Sequence, residues 1–83
     1  EIDDVDVKKV IYPNPTTNRE LFITNTSLDD VIDVFDIRGR KIDIVNRVFN
    51  DLNNTTSIKL NTTAAGLYLL KINATSKMIV VKD

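Results

Sequence analysis

Cysteine, histidine and tryptophan are all missing from this 83-residue chain, and only two glycines, two prolines and one methionine are present. Without cysteine no disulfide framework exists, so pairing says nothing of the redox compartment, and nothing in the chain can mispair on export. Without histidine or cysteine, the usual nucleophile–base pairs and transition-metal sites cannot be assembled. No apolar run approaches the roughly 20 residues a membrane-spanning helix requires. Charge of one sign is also scarce as a block: eleven basic and twelve acidic side chains leave a net charge of −1. Phosphate binding needs a basic face, so this balance argues against nucleic acid as a partner. No signal peptide opens the sequence. The expectation is that any targeting segment lies upstream in a longer precursor.

What is present is β-forming. Valine, isoleucine and threonine are plentiful, and such residues fit a pleated, half-buried surface better than a helix. No stretch sustains apolar spacing at three and four residues, so no long helix is predicted. Seven strand candidates emerge, at residues 5–11, 20–25, 31–37, 41–49, 56–60, 67–73 and 77–82, separated by turn signals at short regular intervals. Leu21 and Ile23 share one face, as do Ile58 and Leu60; Ile42, Ile44 and Val48 are expected to point alike. The pattern predicts an all-β chain: one immunoglobulin-like β-sandwich of short antiparallel strands, with a small open barrel as the alternative. Residues 1–9 read as linker or first strand and residues 10–83 as the domain. Per-residue scaling gives a stability on the order of 4–12 kcal/mol.

Three turn motifs punctuate the strands. In Tyr12-Pro13-Asn14-Pro15-Thr16, both prolines fix φ and lack a ladder donor, so a strand must stop there. In Asp36-Ile37-Arg38-Gly39-Arg40, Asp36 and Gly39 occupy the first and fourth positions of a type I turn. This predicts a tight hairpin. Asp36 shares its alternation with Ile32 and Val34, so its carboxylate should turn inward and satisfy the turn. In the stretch from Ala65 to Ile72, Gly66 is expected to start a strand after a loop rich in threonine and asparagine.

The remaining constellations favour plain readings. Asp29, Asp30, Asp33 and Asp36 suggest a calcium loop, but they alternate along a strand, whereas hard cations need oxygens wrapped around a loop. Glu20 and Asp51 are the kind of carboxylates a glycosidase pairs, yet nothing brings them into one cleft. Five glycosylation-type sequons begin at Asn25, Asn53, Asn54, Asn61 and Asn73. In a chain this rich in asparagine and threonine such matches arise by chance. Of the aromatics Tyr12, Phe22, Phe35, Phe49 and Tyr68, only Phe22 is set by alternation opposite a clear core pair, which argues against a flat sugar-stacking row. No cofactor or metal is expected, and no enzyme. The apolar run Met78-Ile79-Val80-Val81, flanked by Lys77 and Lys82, reads either as a buried strand with charged gatekeepers or as an edge open to a partner's sheet.

Taken in order, Tyr-Pro-Asn-Pro, Asp-x-x-Gly-Arg, Gly-x-Tyr-x-Leu-Lys-Ile and a basic-apolar end closely resemble the C-terminal sorting domain of type IX secretion (the Por secretion system), type A. The resemblance spans residues 10–82. Two departures are an Asn-rich stretch at 52–57 and Asp83 following Lys82. The resemblance implies a signal at the C-terminus of a large secreted protein of Bacteroidota. The N-terminal passenger would pass through the periplasm, and an outer-membrane translocon would then recognise the domain. A cysteine-protease-like sortase would remove it and couple the passenger to surface lipopolysaccharide, leaving the product at the cell surface or outside. It assigns recognition to Gly66, Tyr68, Lys71, Lys77, Val80, Val81 and Lys82. Pro13, Asn14, Pro15, Asp36 and Gly39 would build the fold that presents them. The mechanism expected is a folded handle whose last strand offers edge hydrogen bonds and a basic tag. The same edge would allow a symmetric homodimer. Two other classes stand beside it, an Ig-like spacer and a carbohydrate-binding module of a secreted multidomain enzyme.

Overall fold

Alternation of apolar and polar residues, at the period of a pleated strand, is realised along nearly every predicted segment. The computed structural model describes residues 8–62 and 64–83. Among them lie eight strands and no helix: β1 (Ile11–Tyr12), β2 (Glu20–Ile23), β3 (Ile32–Asp36), β4 (Lys41–Ile42), β5 (Ile44–Asn50), β6 (Thr55–Leu60), β7 (Gly66–Ile72) and β8 (Thr75–Val81). They form two antiparallel four-stranded sheets, ordered β1-β2-β6-β5 and β4-β3-β7-β8. This is the small β-sandwich the sequence predicts. Of the first predicted strand, residues 5–7 fall outside the described residues.

The core is the inner face of both sheets. Leu21, Ile23, Ile58 and Leu60 come from the first; Ile32, Val34, Tyr68, Leu70, Ile72, Ile79 and Val81 come from the second. Each fully buried aliphatic side chain contributes about 1.5–3 kcal/mol relative to exposure. The register keeps these residues opposite one another, with Val34 facing Leu70 and Ile32 facing Ile72. A slip of one residue would turn the whole set to water.

The predicted strand at 41–49 is two strands, which makes the total eight. Asp43 breaks it, its carbonyl accepting the Asn61 N–H at 2.9 Å, and the chain leaves one sheet for the other. A bulge follows, because Ile44 faces Leu60 while Asn46 faces Lys59. The extra residue reverses the alternation. Ile42 and Ile44 therefore pack against the core, but Val48 is 52 % exposed on the outer face. The expectation that all three point alike is corrected by that bulge.

On the opposite side the Pro-Asn-Pro loop closes the sandwich. Both of its prolyl bonds, Tyr12–Pro13 and Asn14–Pro15, are cis. The loop leaves β1 in one sheet and reaches the edge of the other, where Thr16 forms a parallel bridge with Val81. Thr16 is wholly buried. Its hydroxyl donates to the Glu20 carbonyl at 2.8 Å, so the burial leaves its donor paired.

Candidate functional site

β8 is an edge strand, and its pairing with β7 uses the backbone groups of alternate residues. Those of Ser76, Met78, Val80 and Lys82 point away from the sheet. Most are already taken. The Val80 N–H donates to Asn14 Oδ1 at 2.9 Å and Asn14 Nδ2 donates to the Met78 carbonyl at 3.3 Å. The Thr16 N–H donates to the Val80 carbonyl at 2.9 Å, and the Lys82 N–H donates to the Thr16 carbonyl at 2.8 Å. Asn14 thus imitates a ninth strand with one side chain. The open edge expected from sequence is closed along its C-terminal half. Only the outward groups of Ser76 and the Met78 N–H lack a hydrogen-bond partner among the described residues. Met78 itself lines a groove shared with Lys8, Lys9, Val10, Ile11, Asn14 and Lys77.

The outer face of the same sheet is apolar at its centre. Register places Phe35 beside Leu69, Leu69 beside Met78, and Leu67 beside Val80. Leu67 and Met78 are about half exposed, and Phe35, Leu69 and Val80 are half-buried. A polar row borders them: Asp33 faces Lys71, and Lys71 faces Ser76. Lys41 Nζ reaches Asp33 Oδ1 at 3.2 Å. The result is an apolar stripe edged by lysines on a rigid sheet.

The predicted recognition residues divide between the two faces. Lys71 and Val80 lie on the outer stripe. Lys77 and Lys82 are exposed near the two ends of β8. Tyr68 and Val81 are 4 % and 1 % exposed and belong to the core. Tyr68 fastens the loop before its own strand: its hydroxyl donates to the Ala64 carbonyl at 2.6 Å and lies 2.8 Å from Thr62 Oγ1. Gly66 has φ +147°, with open space where a Cβ would stand, so glycine is required there by backbone conformation and not by crowding.

The second motif is a closed electrostatic unit. Asp36 Oδ1 accepts the N–H groups of Arg38 and Arg40, each at 2.9 Å, and Oδ2 accepts Arg40 Nε at 2.8 Å. The Gly39 N–H donates to the Asp36 carbonyl at 3.0 Å, and Gly39 has φ +86°. The expected turn is present. The backbone donor of Arg40, outweighing partial burial, and then the Arg40 side chain and the Arg38 N–H, hold the Asp36 carboxyl below its ordinary pKa. Asp30 is also lowered: partial burial pushes it up, but donors from Ser27 and Asn73 and the nearby Lys9 charge more than offset this. Asn73 is central to that corner. Its Oδ1 accepts the Val31 N–H at 2.9 Å, its own N–H donates to the Val31 carbonyl at 2.8 Å, and Nδ2 donates to Asp30 at 3.1 Å.

The acidic residues therefore serve turns and ion pairs. Among the described residues no group of acidic side chains is arranged to hold a metal ion. Glu20 faces Lys59, whereas Asp51 lies beyond the Asn50–Thr55 pair at the far end of β6, so the two carboxylates do not meet.

All three motifs converge at one end of the β4-β3-β7-β8 sheet. The second and third line a common hollow of about 230 Å³ between the Asp36–Gly39 turn and Gly66. Gly66 faces Val81, and Val81 bridges to Thr16 of the first motif. Arg19, unremarked in the sequence, ties this end together. Its guanidinium reaches the carbonyls of Thr62 at 3.2 Å and of Lys82 at 3.4 Å, and Asp83 Oδ1 at 3.0 Å. Its positive φ of 63° is the kind of feature no residue-type rule would have flagged.

This two-sheet domain, with three turn motifs gathered at the end of its last strand, belongs to the secretion system C-terminal sorting domain family, whose model matches residues 10–82. It is a sorting domain of type IX secretion, as the motif order indicates. Membership implies contact with the type IX machinery, a passenger N-terminal to the domain, and export across the envelope. No curated protein and no solved structure matches the chain. No helix among the described residues is long and apolar enough to cross a membrane.

Proposed function

We propose that the domain directs its passenger through the outer-membrane translocon by presenting the outer face of β7 and β8 as a preformed docking stripe. Leu67, Leu69, Met78 and Val80 supply the apolar centre, with Lys71 and Lys82 as a basic border on that face and Lys77 at the strand edge, opposite Leu70. The observation carrying this reading is that the C-terminal half of the β8 edge is locked by Asn14 and Thr16 while Leu67 and Met78 on the outer face stay exposed and Val80 half-buried. A partner meets a face more readily than a ladder. Exposed apolar patches on small soluble domains commonly mark such contacts. Tyr68, Val81, Gly66, Asp36 and the Pro-Asn-Pro loop act indirectly, by fixing the shape of this end. Passage through the periplasm precedes translocation in this scheme, and removal by the sortase and coupling of the passenger to the surface follow it.

The test is secretion of a passenger by a host with the type IX machinery. Val80→Asp and Leu67→Asp place charge on the stripe without touching the core. Export should fall while circular dichroism of the purified domain stays native. Normal export of both variants would sink the docking stripe. Export lost equally on Lys59→Glu, on the other sheet, would show that any surface charge change suffices.

A further inference from the structure

The outer face of the other sheet carries a second feature. Register sets Tyr12 beside Phe22, Phe22 beside Ser57, and Ser57 beside Val48, one row across all four strands. The Tyr12 and Phe22 rings stack with centroids 5.3 Å apart and planes at 23°. The alternation rule placed only Phe22 there; Tyr12 joins it because β1 runs through Tyr12 and pairs it with Phe22. Ser57 is the small member between Phe22 and Val48, and the gap it leaves is a groove of about 240 Å³.

The polar end of the groove is held rigidly. Asn50 Oδ1 accepts the Leu52 N–H at 2.9 Å, and the Thr55 hydroxyl donates to the Asn53 carbonyl at 3.2 Å. The Asn54 carbonyl accepts both the N–H and the hydroxyl of Thr26, at 2.9 and 3.1 Å. In contrast, the Asn53 amide, the Ser57 hydroxyl and the Tyr12 hydroxyl line the groove with no protein partner among the described residues. No lining residue carries a charge, in a chain 28 % charged.

We propose that this groove binds a neutral carbohydrate, one sugar ring lying against the Tyr12–Phe22 pair while its hydroxyls meet Asn53 and Ser57. The chemistry selects this class. Aromatic rings offer an apolar surface to the C–H face of a pyranose, and amide and hydroxyl groups both donate and accept, as sugar hydroxyls do. An uncharged lining gives an anionic or cationic ligand no counter-charge. The groove is smaller than the 300–1,000 Å³ of typical drug-sized pockets, so affinity is on the order of millimolar, although the fixed loop limits the ordering cost. The inference is independent of the secretion reading, and its test involves no export.

The test is a ¹H–¹⁵N NMR titration of the chain with cellohexaose, laminarihexaose and mannohexaose, against an oligogalacturonate of similar length. The expected result is saturable shifts at Phe22, Asn53 and Ser57 with at least one neutral oligomer. Tyr12→Ala, and Ser57→Ile, which fills the groove with a strand-favouring side chain, should each weaken binding about tenfold or more. The proposal is overturned by no saturable shift at these residues up to ~10 mM of any neutral oligomer. Shifts produced only by the charged oligomer, or shifts that survive both substitutions in folded protein, overturn it equally.

Discussion

Asn14 and Val80 lie 66 residues apart, and the Asn14 side-chain carbonyl accepts the Val80 N–H at 2.9 Å. An unpaired strand edge invites pairing with another chain, and this contact is how the first motif shields the last strand. Asn14→Ala should free the Val80 N–H and the Met78 carbonyl together. Concentration-dependent dimers or larger species are expected by size exclusion with light scattering, in greater proportion than for the unmodified chain. A variant with the same association state as its parent at every concentration would show that Thr16 alone protects the edge.

Tyr68 tests whether a motif residue acts from inside. Tyr68→Phe keeps the buried ring and removes the hydroxyl that holds Ala64 and Thr62. The loss should be about 0.5–1.5 kcal/mol, the net contribution of an ordinary hydrogen bond, since the acceptor at Ala64 is open to water. Tyr68→Ala should cost about 3–5 kcal/mol by leaving a cavity. Urea unfolding measures both. Undiminished stability of the phenylalanine variant would place the role of the hydroxyl outside the fold.

Gly66 and Gly39 both have positive φ. Alanine at Gly66 meets no atom, so its cost is conformational alone, on the order of 1–3 kcal/mol. The melting temperature of Gly66→Ala should fall accordingly. An unchanged melting temperature would mean that the strand start relaxes freely.

Acid should weaken the domain through two carboxylates. Asp36 and Asp30 both sit below the ordinary value of 3.8. A carboxyl with a depressed folded-state pKa stabilises the fold fully above its unfolded value, and that contribution is lost as pH falls through the folded value. The loss therefore begins near pH 3.8 and deepens below it. Asp36→Asn should flatten the acid limb of a melting-temperature profile taken from neutral pH to about pH 2. An acid limb as steep as the parent's would remove Asp36 from the linkage.

Strand identity was legible because the core obeys a period of two: Leu21 with Ile23, and Ile58 with Leu60, read directly as inward pairs. The Asp36–Gly39 turn was legible because turn chemistry is local. Val48 was not, since a single bulge residue reverses facing and leaves no mark in composition. The closure of the β8 edge was equally hidden. It depends on Asn14 meeting Val80 across the chain, and no spacing rule reaches that far. The facing of Tyr12 beside Phe22 was hidden because its strand has only two residues, too short for alternation to show. The candidate recognition residues are assigned as a set by the resemblance alone. Their division into outer residues (Lys71, Val80) and core residues (Tyr68, Val81) needed the register of β7 and β8.

On this reading the domain is sufficient to send a passenger out of the cell. The most direct measurement fuses it to the C-terminus of a periplasmic fluorescent reporter in a host with the type IX machinery and fractionates the culture. Reporter is expected outside the cell or on its surface, and is expected to be lost from there when the translocon is deleted or residues 77–83 are removed. Reporter held in the periplasm on a domain shown to be folded would contradict it.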